Sequence, residues 1–338
     1  MTRFAMNRFS NILLATTALA AVSACSSNDA PKTVDTPVVV TPPVVVTPAG
    51  SELTLANTAA GTSLAVTARQ GLEAFNFTNG AAAASESAAP AGSFQTNPTA
   101  SYVKTATGFN LTLPSGRTAN IVTTAGSAQT TTGPQSFPIG SGATQTSQRF
   151  QTTVNGGTNQ VNVSVTNATN SNLQNATYGT WVESASLNSP ISAGTFATGV
   201  VSTSVPTTGT ATYSGQLTGF ATTPAIGVTI TGGAVALNAN FAANTISGAV
   251  TNITTQRGGV TPQLGTMNSV NLTSGTISGS TFSGTAAAAA TAGTMANVTG
   301  STGVFGGKFY GPSAAEAAGS LTLTGGGNTV VGVFGAKK

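Results

Sequence analysis

Between residues 210 and 220, Tyr213, Gly215 and Leu217 fall on one side of an extended chain. Thr212, Ser214, Gln216 and Thr218 fall on the other. Over 234–241, Val235, Leu237, Ala239 and Phe241 oppose Ala236, Asn238 and Asn240 in the same way. A period of two with one apolar face predicts strands whose inner side packs a core. Further strands are predicted over 177–183, 195–202, 245–253, 267–276, 303–310, 320–324 and 330–334. Turn residues separate them, as in Gly325-Gly326-Gly327-Asn328. A series of about nine short strands at close spacing predicts an up-and-down barrel or a sandwich. Closure also removes the sheet edges on which exported β-proteins aggregate.

Upstream the pattern is thinner. Residues 108–113 and 160–165 alternate, and Pro114-Ser115-Gly116 reads as a turn after the first of them. Residues 81–91 are alanine-rich and read equally as a short helix or a loop. Residues 129–148, rich in Thr, Gly and Ser, read as a long loop. The expectation for 51–170 is a small, irregular β-rich domain.

Composition supports strands over helices. Of 338 residues only 5% are charged, while 41 are glycine. Helices need charged outer faces that this chain cannot supply. Its polar surface must come from Thr, Ser, Asn and Gln, which suit strands and turns. The net charge is +4 and includes Arg3 and Arg8 near the start. No basic run or aromatic array marks a nucleic-acid surface, so no nucleic-acid partner is expected.

The first residues have a different logic. Arg3 and Arg8 precede an apolar run over 12–22, followed by Ser23-Ala24-Cys25. A charged head, a short apolar run and small residues before a cut describe a secretory signal. The run is too short to span a bilayer as a mature helix. Val22, Ser23 and Ala24 before Cys25 resemble a bacterial lipobox. That resemblance implies cleavage after residue 24, lipidation of Cys25, and an outer-membrane anchor of two or three acyl chains. Residues 25–50 then repeat Pro-Val-Val-Val-Thr-Pro from Pro37 and again from Pro43. Proline fixes φ and extends its neighbour, so this reads as a spacer reaching on the order of 75 Å at ~3.1 Å per residue.

Chemistry is sparse. There is no histidine, which removes the usual general base and the commonest zinc or haem ligand. One cysteine, Cys25, leaves no disulfide and no thiolate cluster. The carboxylates Glu52, Glu73, Glu86, Glu183 and Glu316 are far apart in sequence, and no SxxK motif accompanies Lys104, Lys308, Lys337 or Lys338. Gly306-Gly307-Lys308 is followed by Phe309, so it is no phosphate-binding loop. The expectation is a non-enzymatic protein without catalytic residue, metal or cofactor.

Several motifs resemble the β-barrel domain of transferrin-binding protein B and related surface lipoproteins of Gram-negative bacteria. Tyr178-Gly179-Thr180-Trp181 resembles its opening aromatic strand, and Thr210-Ala211-Thr212-Tyr213-Ser214-Gly215 its Thr/Tyr/Gly strand. Asn240-Phe241 with Ser247-Gly248, and Phe282-Ser283-Gly284, resemble its hairpins. The most specific match runs through Phe309, Tyr310, Gly311, Pro312, Glu316 and Gly319, then Phe334 and Gly335. Ser313 and Ala318 depart from the family pattern without touching the barrel assignment. Read from the residues, Gly311-Pro312 bends the chain, residues 314–318 make one helical turn carrying Glu316, and Gly319 lets the next strand start against its neighbour.

The resemblance implies an all-β protein: an antiparallel up-and-down barrel of about eight strands over 171–338, preceded by a handle-like domain over 51–170, a tether over 25–50 and a leader over 1–24. It implies a cell-surface lipoprotein that binds a ligand or carrier protein, iron- or haem-related among the options, for delivery to an outer-membrane transporter. Haem would need a tyrosine ligand, from Tyr102, Tyr178, Tyr213 or Tyr310. The alternative is a structural or adhesive surface lipoprotein with no small-molecule ligand.

Overall fold

The computed structural model describes residues 59–73, 87–88, 100–113, 116–122, 132–139, 143–153, 160–166, 173–186, 189–257 and 263–338. Cys25, the lipobox residues Val22, Ser23 and Ala24, and the proline spacer lie outside the described residues. The described chain is built from strands.

The first strands are β1 (Ser63–Ala65), β2 (Thr67–Glu73), β3 (Ser87–Ala88), β4 (Ser101–Lys104), β5 (Gly108–Thr112) and β6 (Thr118–Val122). They are followed by β7 (Thr132–Ile139), β8 (Ala143–Thr153), β9 (Gln160–Val165), β10 (Ala176–Ser186) and β11 (Ser189–Gly199). One sheet has the order β1-β4-β5-β6, and a larger one has β3-β2-β11-β10-β9-β8-β7. Tyr102, Phe109, Leu111 and Ile121 from the small sheet share a core with Phe150, Val161, Val163, Trp181 and Phe196 from the large one. Tyr102 stacks on Phe109 with centroids 4.9 Å apart. Two inner faces interdigitating in this way make a sandwich. Arg117, just before β6, pairs with the buried Glu183 of β10 and ties one sheet to the other.

Two expectations change here. Residues 129–148 are not a long loop, since β7 and β8 pair as an antiparallel hairpin across most of them. Threonine's branched Cβ favours extended backbone even where no apolar alternation marks a core face. Of residues 81–91, only β3 is described, and it is a short strand.

The remaining strands are β12 (Thr210–Thr223), β13 (Gly227–Asn240), β14 (Thr245–Arg257), β15 (Gln263–Thr266), β16 (Val270–Ser278), β17 (Thr281–Ala288), β18 (Thr302–Tyr310), β19 (Glu316–Gly325) and β20 (Asn328–Lys337). Antiparallel pairs run β12-β20-β19-β18-β17-β16-β14, and β13 joins β12 to β14. Eight strands therefore close on themselves, with the short β15 appended to the end of β14. β20 shuts the barrel against β12, with Leu217 opposite Phe334. β17 is absent from the predicted set because its alanines have weak strand propensity, although Phe282 and Ala286 point inward as in any other stave.

Tyr213, Leu217, Leu237, Phe241, Phe282, Phe305, Phe309, Leu321 and Phe334 fill the interior. Phe282 and Phe309 lie 5.1 Å apart, centroid to centroid. An eight-stranded barrel is just wide enough for such side chains to fill it. On the solvent side β16 and β17 present Asn271, Thr273, Thr276, Ser283 and Thr285. Apolar inside and polar outside is the reverse of a membrane-spanning barrel.

The sheets divide later than residue 171. β10 pairs with β9 and β11 with β2, so Tyr178-Gly179-Thr180-Trp181 lies in the seven-stranded sheet and not in the barrel. Alternation along a strand reveals its faces but not its neighbours, so the sequence placed these residues with the strands that follow them.

Candidate functional site

The closing motif lies between β18 and β19. Phe309 points into the barrel core, and Tyr310, one residue on, points outward against Tyr178, Ala176 and Ala197 of the sandwich. Gly311 then takes φ 71, a left-handed conformation, and Pro312–Ala314 form a single 3-10 turn. The expected helical turn over 314–318 is thus displaced towards the N-terminus. Proline supplies its pre-set φ at the first helical position, and Glu316 already opens β19. Gly319 lies within β19, opposite Gly307 of β18. A Cβ there would come within 2.6 Å of the Gly307 Cα, so its role is close approach along the strand and not at its start.

Ser313 and Ala314 both have left-handed φ, 52 and 55, which costs on the order of 1–3 kcal/mol each. Four contacts hold them there. The Ala314 and Ser313 amides donate to the Ser202 and Ser204 hydroxyls at 3.2 and 3.4 Å. The Tyr213 hydroxyl donates to the Ala314 carbonyl at 2.7 Å, and Lys338 Nζ donates to the Ser313 carbonyl at 2.6 Å. The Lys338 ammonium also lies 5.9 Å from the Tyr213 ring centroid and 5.6 Å from that of Phe241. The turn thereby caps one end of the barrel, with Ala314 buried in its core.

Glu316 is 4% exposed. Its carboxylate accepts from three successive backbone amides at the start of β10: Gln174 at 2.6 Å, Asn175 at 2.9 Å and Ala176 at 2.9 Å. Asn175 Nδ2 adds a fourth donor at 3.2 Å. Burial pushes the carboxyl pKa above its ordinary value, while the amide donors pull the other way. Backbone hydrogen bonds extend the junction: Val200 donates to Asn175, Gly311 to Val200, and Ser202 to Phe309.

Small residues make room for this contact. A Cβ on Gly311 would meet Asn175 Nδ2 at 2.5 Å, and one on Gly335 would meet the Tyr178 ring at 2.4 Å. Phe334 points into the barrel, so Gly335 faces outward and Tyr178 occupies the space its side chain would take. The motif residues are therefore brought together, and what they build is a latch between barrel and sandwich. Sequence reasoning missed the partner, residues 174–176. The available signal was the carboxylate itself, the one acid between residues 184 and 338.

The other candidates for chemistry are dispersed. Tyr102, Tyr178, Tyr213 and Tyr310 are all buried, and burial raises the phenol pKa of Tyr102, Tyr213 and Tyr310 above the usual range. None presents a hydroxyl at the surface for an iron centre. Among the described residues no three acidic or sulfur side chains converge as metal ligands.

Residues 205–338 match the family model described as the C-lobe and N-lobe β-barrels of Tf-binding protein B. Among solved structures, intact Ap-TbpB with its N and C lobes is 19% identical at a TM-score of 0.46, covering 68% of this chain and 41% of that one. TbpB from serogroup B Neisseria meningitidis is 17% identical at 0.42, covering 79% and 43%. HpuA from Kingella denitrificans, solved in complex with human haemoglobin, is 15% identical at 0.44, covering 83% and 88%. The chain spans less than half the length of either of these TbpB structures. Likeness at these scores carries nothing about a ligand. No curated protein matches the chain.

Proposed function

We propose that the protein, whose residues 205–338 match the family model of the Tf-binding protein B β-barrels, is a lipid-anchored surface protein that captures an extracellular carrier protein or its ligand. The family-model match over the barrel carries this reading. Cys25 bears the acyl chains, residues 25–50 hold the folded part clear of the outer membrane, and a transporter in that membrane receives the cargo. The matched family model is named for Tf-binding protein B, and an iron-carrying protein is the corresponding cargo here. The function is binding without catalysis. Glu316 and Glu183 serve contacts within the protein, Glu316 at the latch and Glu183 at Arg117. Recognition lies outside the closing motif, since the latch consumes its polar groups.

Affinity capture on intact cells grown with and without iron tests the reading. The expected result is enrichment of an extracellular carrier protein, greater under iron limitation, and its loss in a deletion strain. No enriched protein, together with loss of cell attachment on deletion, would overturn capture in favour of adhesion. Cys25→Ser is expected to move the protein from the membrane fraction to the soluble one, and retention in membranes would refute the anchor.

A further inference from the structure

The barrel wall beside the covered one carries a cleft of about 620 Å³ across β16, β17 and β18. Ser274, Thr276, Thr281, Ser283, Val304 and Lys308 are among its lining residues. β16 is kinked there by a bulge between Thr273 and Thr276, with Ser274 at φ 51. Gly284 and Gly307 also line the cleft and add no side chain to fill it.

Charge decides what such a cleft accepts. Between residues 205 and 338 the charged side chains are Arg257, Lys308, Glu316, Lys337 and Lys338. The single acid is buried in the latch. Three of the four cations lie at one end: β18 and β20 run parallel and finish there, with Lys308 and Lys337 near their C-terminal ends. Arg257 finishes β14 at the other end. Lys308 is half-buried, and its ammonium has no hydrogen-bond or ion-pair partner among the described residues. A lone cation beside hydroxyls, with no competing carboxylate, complements an anionic group set on a polyol. Hydroxyls donate to and accept from sugar hydroxyls, and the ammonium takes the charge.

The geometry points to an anionic-saccharide site in this cleft: a sugar bearing a carboxylate or a phosphate, with its anion on Lys308 and its ring hydroxyls on Thr276, Thr281 and Ser283. The site stands independently of carrier capture, because it uses neither the latch nor the anchor. Calorimetric titration of the full chain with oligogalacturonate, mannose 6-phosphate and neutral maltohexaose tests it. One or both anionic sugars are expected to bind, which separates carboxylate from phosphate, while the neutral sugar does not. Lys308→Gln is expected to weaken binding about tenfold and Lys308→Glu to abolish it. Arg257→Gln, at the opposite end, is expected to leave affinity unchanged. The melting temperature of Lys308→Gln should equal that of the parent protein, which separates lost binding from lost folding. Equal binding of maltohexaose, equal loss in Arg257→Gln, or no binding of either anion would overturn the site.

Discussion

Two walls of the same barrel differ in what lies outside them. In β19 every residue from Glu316 to Leu323 is buried, as is every residue of β20 from Asn328 to Ala336. In β16 and β17 burial alternates with exposure. The inward residues are of one kind on both walls, namely Phe, Leu, Ile, Val and Ala. The outward ones differ: Ala318, Ser320, Val333 and Gly335 under the sandwich, against Asn271, Thr273, Ser283 and Thr285 in solvent. Burial on both faces erases the exposed half of the pattern, although Glu316, Ser320 and Thr322 keep polar groups on the covered face of β19. The covered wall thus specifies an intramolecular contact, and the free wall is available to a ligand.

Perturbing each wall should show this difference, most strongly on the covered side. Deleting residues 333–338 removes five of the nine pairs of β20 with β12 and five of its ten with β19. Loss of the cooperative thermal transition is expected, and an unchanged transition would refute the closure. Glu316→Ala strands the amides of residues 174–176 without their acceptor. The expected cost is roughly 3 kcal/mol in urea unfolding, since unmade buried hydrogen bonds cost about 1–3 kcal/mol each and part of the loss is regained by water. Gly335→Val drives a side chain into Tyr178 and should cost about 1–3 kcal/mol, as overpacking does. On the free wall, Thr285 donates to the Thr273 carbonyl at 3.1 Å. Thr285→Ala should cost about 0.5 kcal/mol or less, as surface changes do. A larger effect there than at Gly335 would break the distinction.

The latch also has a pH signature. The folded protein holds the Glu316 proton more tightly than the unfolded chain, because burial raises the carboxyl pKa above 4.5. The stability contributed by this group is therefore fully present below 4.5 and is lost as pH rises through the raised value. The difference in unfolding free energy between the parent and Glu316→Gln should change across that interval. A difference that is flat with pH would contradict the raised pKa of Glu316.

The architecture was largely legible because an apolar face at period two survives in β12, β13 and β16. It failed where the signal was weak or non-local. The Thr-rich hairpin of β7 and β8 lacks visible alternation, and the alanines of β17 are poor strand formers. β10 and β11 read as strands, but pairing is a tertiary choice, and theirs is with β9 and β2. The closing motif was conspicuous in the chain, yet its meaning was not. Glu316 meets amides 140 to 142 residues away, and no local pattern at residues 174–176 announces three donors turned to one carboxylate.

Hydrogen exchange at the amides of Gln174, Asn175 and Ala176 tests most directly whether the closing motif is a latch. The account predicts protection as strong as that of the barrel strands β19 and β20, collapsing selectively in Glu316→Ala. Exchange in the parent protein as fast as in an unstructured peptide would contradict it, and would return Glu316 to the set of groups free to meet a ligand.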